Sequence, residues 1–216
     1  MGVYIEAFIL YFIIFFSQSL LIEKSVPGIV ETASFSIPLL IFTLLIYCIP
    51  SLILIWFLLY RKKKPEYRLN KPKINDLYSG IITLPALLLT GFLISLISVI
   101  TDTIPAVPLI ASPSTPAGWV TLCVYCLFSA YLEESYFRFY LLSKKDELRL
   151  TVPFALVISS LLFGICHIYE GHWGFLNAFL AGLLLGGIFL KYRTIHGIAI
   201  AHALYNITAF LLYAIK

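Results

Sequence analysis

The stretch WVTLCVYCLFSAYLEESYFRFYLL, Trp119–Leu142, decides the reading of this chain. It is long enough to cross a bilayer, which takes about 20 residues of helix. Yet it carries Glu133, Glu134 and Arg138 near its end. A charge inside a spanning helix costs roughly 2.5–3.5 kcal/mol on insertion scales, so intramembrane charges mark function by default. The flanking sequence says the same of the environment. The chain is 61% hydrophobic and only 12% charged, a balance that leaves a soluble domain too little polar surface.

Six further apolar runs surround this one: Val3–Ile22, Phe35–Tyr60, Leu77–Ile100, Val152–Ile168, Trp173–Leu190 and Ile195–Ile215. They lack the alternation of barrel strands, so the expected fold is all-α, a polytopic transmembrane helix bundle of about seven spans. A re-entrant element in the Pro-rich stretch Thr101–Gly118 would make eight. No stretch is polar enough for a separate soluble domain. The expectation is one membrane domain over 1–216, with N-terminal helices in 1–100 and the chemistry in 119–210. The first run lacks a basic flank and a small-residue cleavage site, so it reads as a retained helix.

The net charge of +4 does not point to nucleic acid. Twelve of the fifteen Lys and Arg fall in the loops at Arg61–Lys73, Lys144–Arg149 and Lys191–Arg193. With seven spans those loops lie on one side. The positive-inside rule then puts that side and the N-terminus in the cytoplasm. Membrane lipids and a peptide or protein substrate are the expected partners. The cysteines Cys48, Cys123, Cys126 and Cys166 all sit in apolar runs, where a thiol acts as a small apolar filler. The C-x-x-C at Cys123 and Cys126 stands beside no other ligand set.

Helical geometry separates the charged residues. Glu134 and Arg138 are i, i+4 with the acid first, the favoured order for an ion pair. Glu133 points about 100° away and is left without a partner on its own helix. Two other runs carry imidazoles. Phe163 and His167 share a face at i, i+4, as do His202 and Asn206. Singly, each set has a plain structural reading as interhelical hydrogen bonding. Together they are the parts for hydrolysing an acyl bond without a covalent intermediate. Glu133 would deprotonate water, His202 and Asn206 would donate to an oxyanion, and His167 would orient the water or protonate the leaving amine.

Depth agrees for two of the three sets. Glu133 lies roughly 16 Å of helix from Lys144, and His202 roughly 13 Å from Arg193. His167 lies roughly 27 Å from Arg149, about two turns too deep. Weaker signals have plain readings. Gly182-x-x-x-Gly186 fits close helix packing, and the sequon at Asn206 falls within a helix. Glu170 and His172 are expected in a solvated loop. His196 at a helix start has no expected role.

The three motifs, E-E-x-x-x-R at Glu133–Arg138, F-x-x-x-H at Phe163–His167 and H-x-x-x-N at His202–Asn206, occur in the order and spacing of a known family. The chain resembles the CAAX protease and bacteriocin-processing (Abi) family, which includes the type II CAAX prenyl endopeptidases. The resemblance covers about Trp119–Phe210. It implies an intramembrane glutamic protease with Glu133, His167, His202 and Asn206 catalytic and Glu134, Arg138 and Phe163 in support. It also implies the membrane of a bacterial cell and a prenylated or leader-type peptide as substrate. Members are often labelled metalloproteases, but the favoured reading needs no metal cofactor. Three alternatives remain. A zinc protease would bind the metal through His167, His202 and a Glu. A bacteriocin self-immunity protein would act without catalysis. A transporter would use the buried charges as a proton relay.

Overall fold

The structure is a computed structural model and describes residues 2–17, 34–61, 71–101 and 111–214. The described residues are all-α and form seven helices. α1 (Gly2–Leu10) continues into a π-helical segment, Tyr11–Phe16. α2 runs Ile37–Thr43, is π-helical over Leu44–Cys48 and resumes over Ile49–Arg61. α3 is Ile74–Ile100. α4 is Pro116–Glu134 and turns π-helical over Ser135–Leu142. α5 is Val152–Cys166, and a single 3-10 turn, Ile168–Glu170, joins it to α6 (Gly171–Tyr192). α7 is His196–Ala214.

Three of these segments, Ile37–Arg61, Ile74–Ile100 and Ile168–Tyr192, are long and apolar enough to cross a membrane. Tyr4–Phe16, Val152–Cys166 and His196–Leu212 are shorter apolar helices. The expected runs become helices within a few residues of their expected ends, except that the expected end of the first, at Ile22, lies outside the described residues. The expected re-entrant element falls mostly on residues 102–110, outside the described residues, as do 62–70 in the cationic loop.

Local chemistry sets the helix starts. Thr115 caps α4, its hydroxyl accepting the Gly118 N–H at 3.1 Å, and Pro116 fills the first turn where no N–H is needed. Ser36 and Pro38 do the same for α2. α7 is started by another helix. The Asp76 carboxylate on α3 accepts the Gly197 N–H at 3.3 Å and the Lys73 N–H at 2.6 Å. A negative group at the first turn of α7 also suits the helix dipole.

Side-chain bonds fix which ends lie together. Glu6 on α1 accepts from the Tyr140 hydroxyl at 2.6 Å and from the buried Lys144 ammonium, and faces Arg61 at 3.8 Å. The Lys144 ammonium also sits 3.8 Å over the Tyr140 ring. The start of α1 and the ends of α2 and α4 thus share one end of the bundle. At the other end the Ser112 hydroxyl donates to the Phe210 carbonyl at 2.8 Å, tying the lead-in of α4 to the last turns of α7.

The core is aromatic. Phe15, Tyr136, Phe137 and Phe163 pack ring on ring between α1, α4 and α5, with centroids 4.8–5.1 Å apart. The hydroxyls of Tyr11 and Tyr136 find helix carbonyls, at Leu162 and Ala7. A buried phenol needs such a partner. α5 and α6 approach closely because Gly182 lies against Ser160, where a Cβ would stand 2.9 Å from the Ser160 Cα. Gly186 likewise leaves room for Leu156, so the G-x-x-x-G does serve packing.

Candidate active site

Glu134 is the centre of a buried pair. Its Oε1 accepts from Arg138 Nη1 at 3.1 Å and from His202 Nδ1 at 2.8 Å. The Glu134 side chain is 0% exposed and that of Arg138 1%. The ion pair inferred from i, i+4 spacing is present, and it reaches a third residue on α7. With Arg138 donating to it, the carboxylate is an acceptor, so His202 donates through Nδ1. This fixes the ring and turns Nε2 toward Glu133, 3.7 Å from Oε2.

Glu133 differs from its neighbour. Its side chain is 16% exposed and lines a cavity. The expectation that it lacks a partner on its own helix is corrected: the Ser129 hydroxyl donates to Oε1 at 3.0 Å. Ser129 is one turn before Glu133 on the same face, so the bond was available from spacing. The other oxygen, Oε2, has no hydrogen-bond partner among the described residues. A π-helical segment begins at the next turn, and such segments concentrate at functional sites.

Phe163 ties the groups together. Its ring lies 4.4 Å from the Arg138 guanidinium carbon, and edge-on to His167 and His202 at 4.8 and 5.9 Å. A desolvated guanidinium over an aromatic face gains about 2 kcal/mol. The contact covers a side chain whose Nε and Nη2 have no hydrogen-bond partner among the described residues. His167 ends α5, and its Nδ1 bonds the Phe163 carbonyl at 2.8 Å. That carbonyl can only accept, so Nδ1 carries the proton and Nε2 is the nitrogen left for chemistry.

Glu133, Phe163, His167, His202 and Asn206 all line one cavity of about 470 Å³. The depth mismatch expected for His167 does not keep it away. Only Val152–Cys166 of that stretch is helical, since the chain turns at Arg149 with φ 51°. The cavity wall draws on α3 and α6 as well as α4, α5 and α7. Asn206 faces it with no hydrogen-bond partner for its carboxamide among the described residues.

Other residues in the wall were not singled out from sequence. Asn177 on α6 donates to the Tyr205 hydroxyl at 2.9 Å, and Tyr205 packs over Gly91. An asparagine within an apolar run was the available signal. Glu170, expected to be solvated, instead lines the cavity, because Gly171 with φ 84° closes a tight turn under it. His172 is exposed, as expected. His196 bonds the Tyr131 hydroxyl at 2.9 Å.

Among the described residues no three His, Cys, Asp or Glu side chains converge as a set that could hold a metal ion. Nδ1 of each cavity histidine is engaged, one by Glu134 and one by a carbonyl, which leaves Nε2 as the uncommitted nitrogen of each ring. His167, His202 and a glutamate do not form such a set among the described residues. All four cysteines are free thiols, with Cys123 exposed and Cys126 buried.

Comparison with curated proteins and with solved structures gave no match. A family model, Type II CAAX prenyl endopeptidase Rce1-like, matches residues 114–208. That span runs from the cap of α4 to beyond Asn206 and holds all three motifs. Residues 114–208 of this chain are therefore an Rce1-like domain of the type II CAAX prenyl endopeptidases, a protease family.

Proposed function

We propose that this chain is an intramembrane endopeptidase in which Glu133 activates water to hydrolyse a peptide bond of a membrane-associated substrate. One observation carries the reading. Glu133 lines a cavity, and its buried, unpartnered Oε2 stands 3.7 Å from a histidine nitrogen whose ring is locked from behind by the Glu134–Arg138 pair. That gap is too wide for a direct hydrogen bond and suits one oxygen, of water or substrate, touching both groups.

The proposed reaction has four events. Glu133 takes a proton from water as the oxygen attacks the scissile carbonyl. Asn206, with its free carboxamide, and His202 as an imidazolium, donating through Nε2 while Nδ1–H is held by Glu134, steady the carbonyl oxygen as it becomes an oxyanion. The C–N bond breaks, and the proton held by Glu133 passes to the departing amine, directly or through His167. Glu134 and Arg138 act through His202 and touch no substrate, and Phe163 packs edge-on against both cavity histidines.

The surrounding proposals are coarser. The domain reading is one membrane domain with all seven helices as spans, the cationic loops and N-terminus cytoplasmic, in a bacterial cell membrane. The substrate is a prenylated or leader-type peptide, and processing of a bacteriocin or immunity against one is the cellular setting. The test is peptide mass spectrometry of membranes and medium from cells carrying the wild type or Glu133→Gln. General-base catalysis is worth about 10²–10⁴ in rate, so uncut precursors should accumulate with the variant. Identical peptide profiles would overturn the reading.

A further inference from the structure

The cavity extends toward one end of the bundle. α7 starts at the end of the bundle near Asp76, and Phe210 lies eight residues beyond His202, roughly 12 Å further along that helix. Ser98, near the end of α3, and Tyr169, Glu170 and Trp173, in the turn between α5 and α6, line the same cavity. Its mouth therefore lies at the end away from the Glu6–Lys144 cluster.

The charge at that mouth is of one sign. Among the described residues the cavity wall holds two carboxylates, Glu133 and Glu170, and no Lys or Arg. Glu170 precedes α6 but does not cap it through its side chain. Its carboxylate shares a side-chain hydrogen bond with the Tyr169 hydroxyl. Two observations fix its place. Gly171 takes a left-handed φ that only glycine adopts freely, closing the turn. Gly174 lies directly beneath the Glu170 side chain, where a Cβ would collide with it. The aromatic residues Tyr169 and Trp173 line the same cavity. A carboxylate that shares a cavity wall with aromatic residues is the chemistry that recognises an ammonium or guanidinium.

We propose that Glu170 is a specificity-determining residue: with Tyr169 and Trp173 it selects peptides carrying a Lys or Arg side chain close to the bond that is cut. This rests on the reading of the cavity as a peptide site, and binding separates the two. The protein is the full chain with Glu133→Gln, in vesicles of zwitterionic phosphatidylcholine so that the lipid itself attracts no cation. The probes are palmitoylated, amidated octa-alanine peptides in which a single Lys, Gln or Glu is moved along the chain.

At one or two positions the Lys peptide should bind about tenfold tighter than its Gln counterpart. That preference should vanish with Glu170→Gln, persist with Glu170→Asp and turn toward Glu with Glu170→Lys. A reversal is a gain that a misfolded protein cannot give. No preference for Lys at any position, or a preference that survives Glu170→Gln, overturns the proposal. Failure of the wild type to cut peptides that show the preference would count against the peptidase reading alone.

Discussion

At the scale of the residue, two adjacent glutamates have been given opposite tasks by their surroundings. Glu134 is sealed, and both its neighbours donate to it. Glu133 looks into a cavity with one oxygen uncommitted. Replacing one partner of a sealed pair leaves the other charge buried alone, which costs roughly 3–5 kcal/mol. Arg138→Met should therefore lower the unfolding midpoint in detergent sharply, while Glu133→Gln should leave it nearly unchanged and abolish cleavage. Thermal melts of the two variants read the difference, and equal melting points would contradict the division of roles. The pair was legible from i, i+4 spacing alone. The third member was not, because His202 comes from a helix 68 residues further along the chain. Ser129 was legible in principle, as a hydroxyl one turn before a carboxylate.

At the scale of the element, the position of α7 decides whether His202 and Asn206 reach the cavity. Two features hold it: the Asp76 carboxylate at its first turn and the absence of a side chain at Gly197. A Cβ at Gly197 would collide with the Asp76 carbonyl oxygen and the Ser79 hydroxyl, both on α3. Gly197→Ala should push the two helices apart, destabilise the fold by about 1–3 kcal/mol, and reduce cleavage by moving His202. Alanine at Gly187, where a Cβ meets nothing within 4 Å, is the control and should do neither. Thermal melts and turnover assays on the two variants test this. The helices themselves were written in the hydropathy of the chain, since long apolar runs have no other solution in lipid. The π-helical segments in α1, α2 and α4 were not, because they change hydrogen-bond register without changing composition. Nor was the inward turn of Glu170. A Glu beside a Gly reads as loop, and only the left-handed φ of Gly171 shows which way the loop folds.

At the scale of the whole molecule, the bundle has two unlike ends. One gathers Glu6, Arg61, Lys144, Asp76 and the start of α7. The other holds the turn between α5 and α6 and the cavity mouth. With the cationic loops cytoplasmic, substrate would enter from the opposite face. Labelling with a membrane-impermeant thiol reagent in a cysteine-free background tests this. Intact cells should modify His172→Cys and not Arg193→Cys, and opened cells should modify both; the reverse pattern in intact cells would place the mouth in the cytoplasm. One ring carries a wider consequence. Phe163 touches Arg138, His167 and His202 at once, so a smaller or polar side chain there loosens all three contacts together. Stability and turnover cannot be traded against each other at that position. Under pressure from an inhibitor seated in the cavity, escape should run through the rim, where Glu170 and its neighbours can vary singly, and leave this hub untouched.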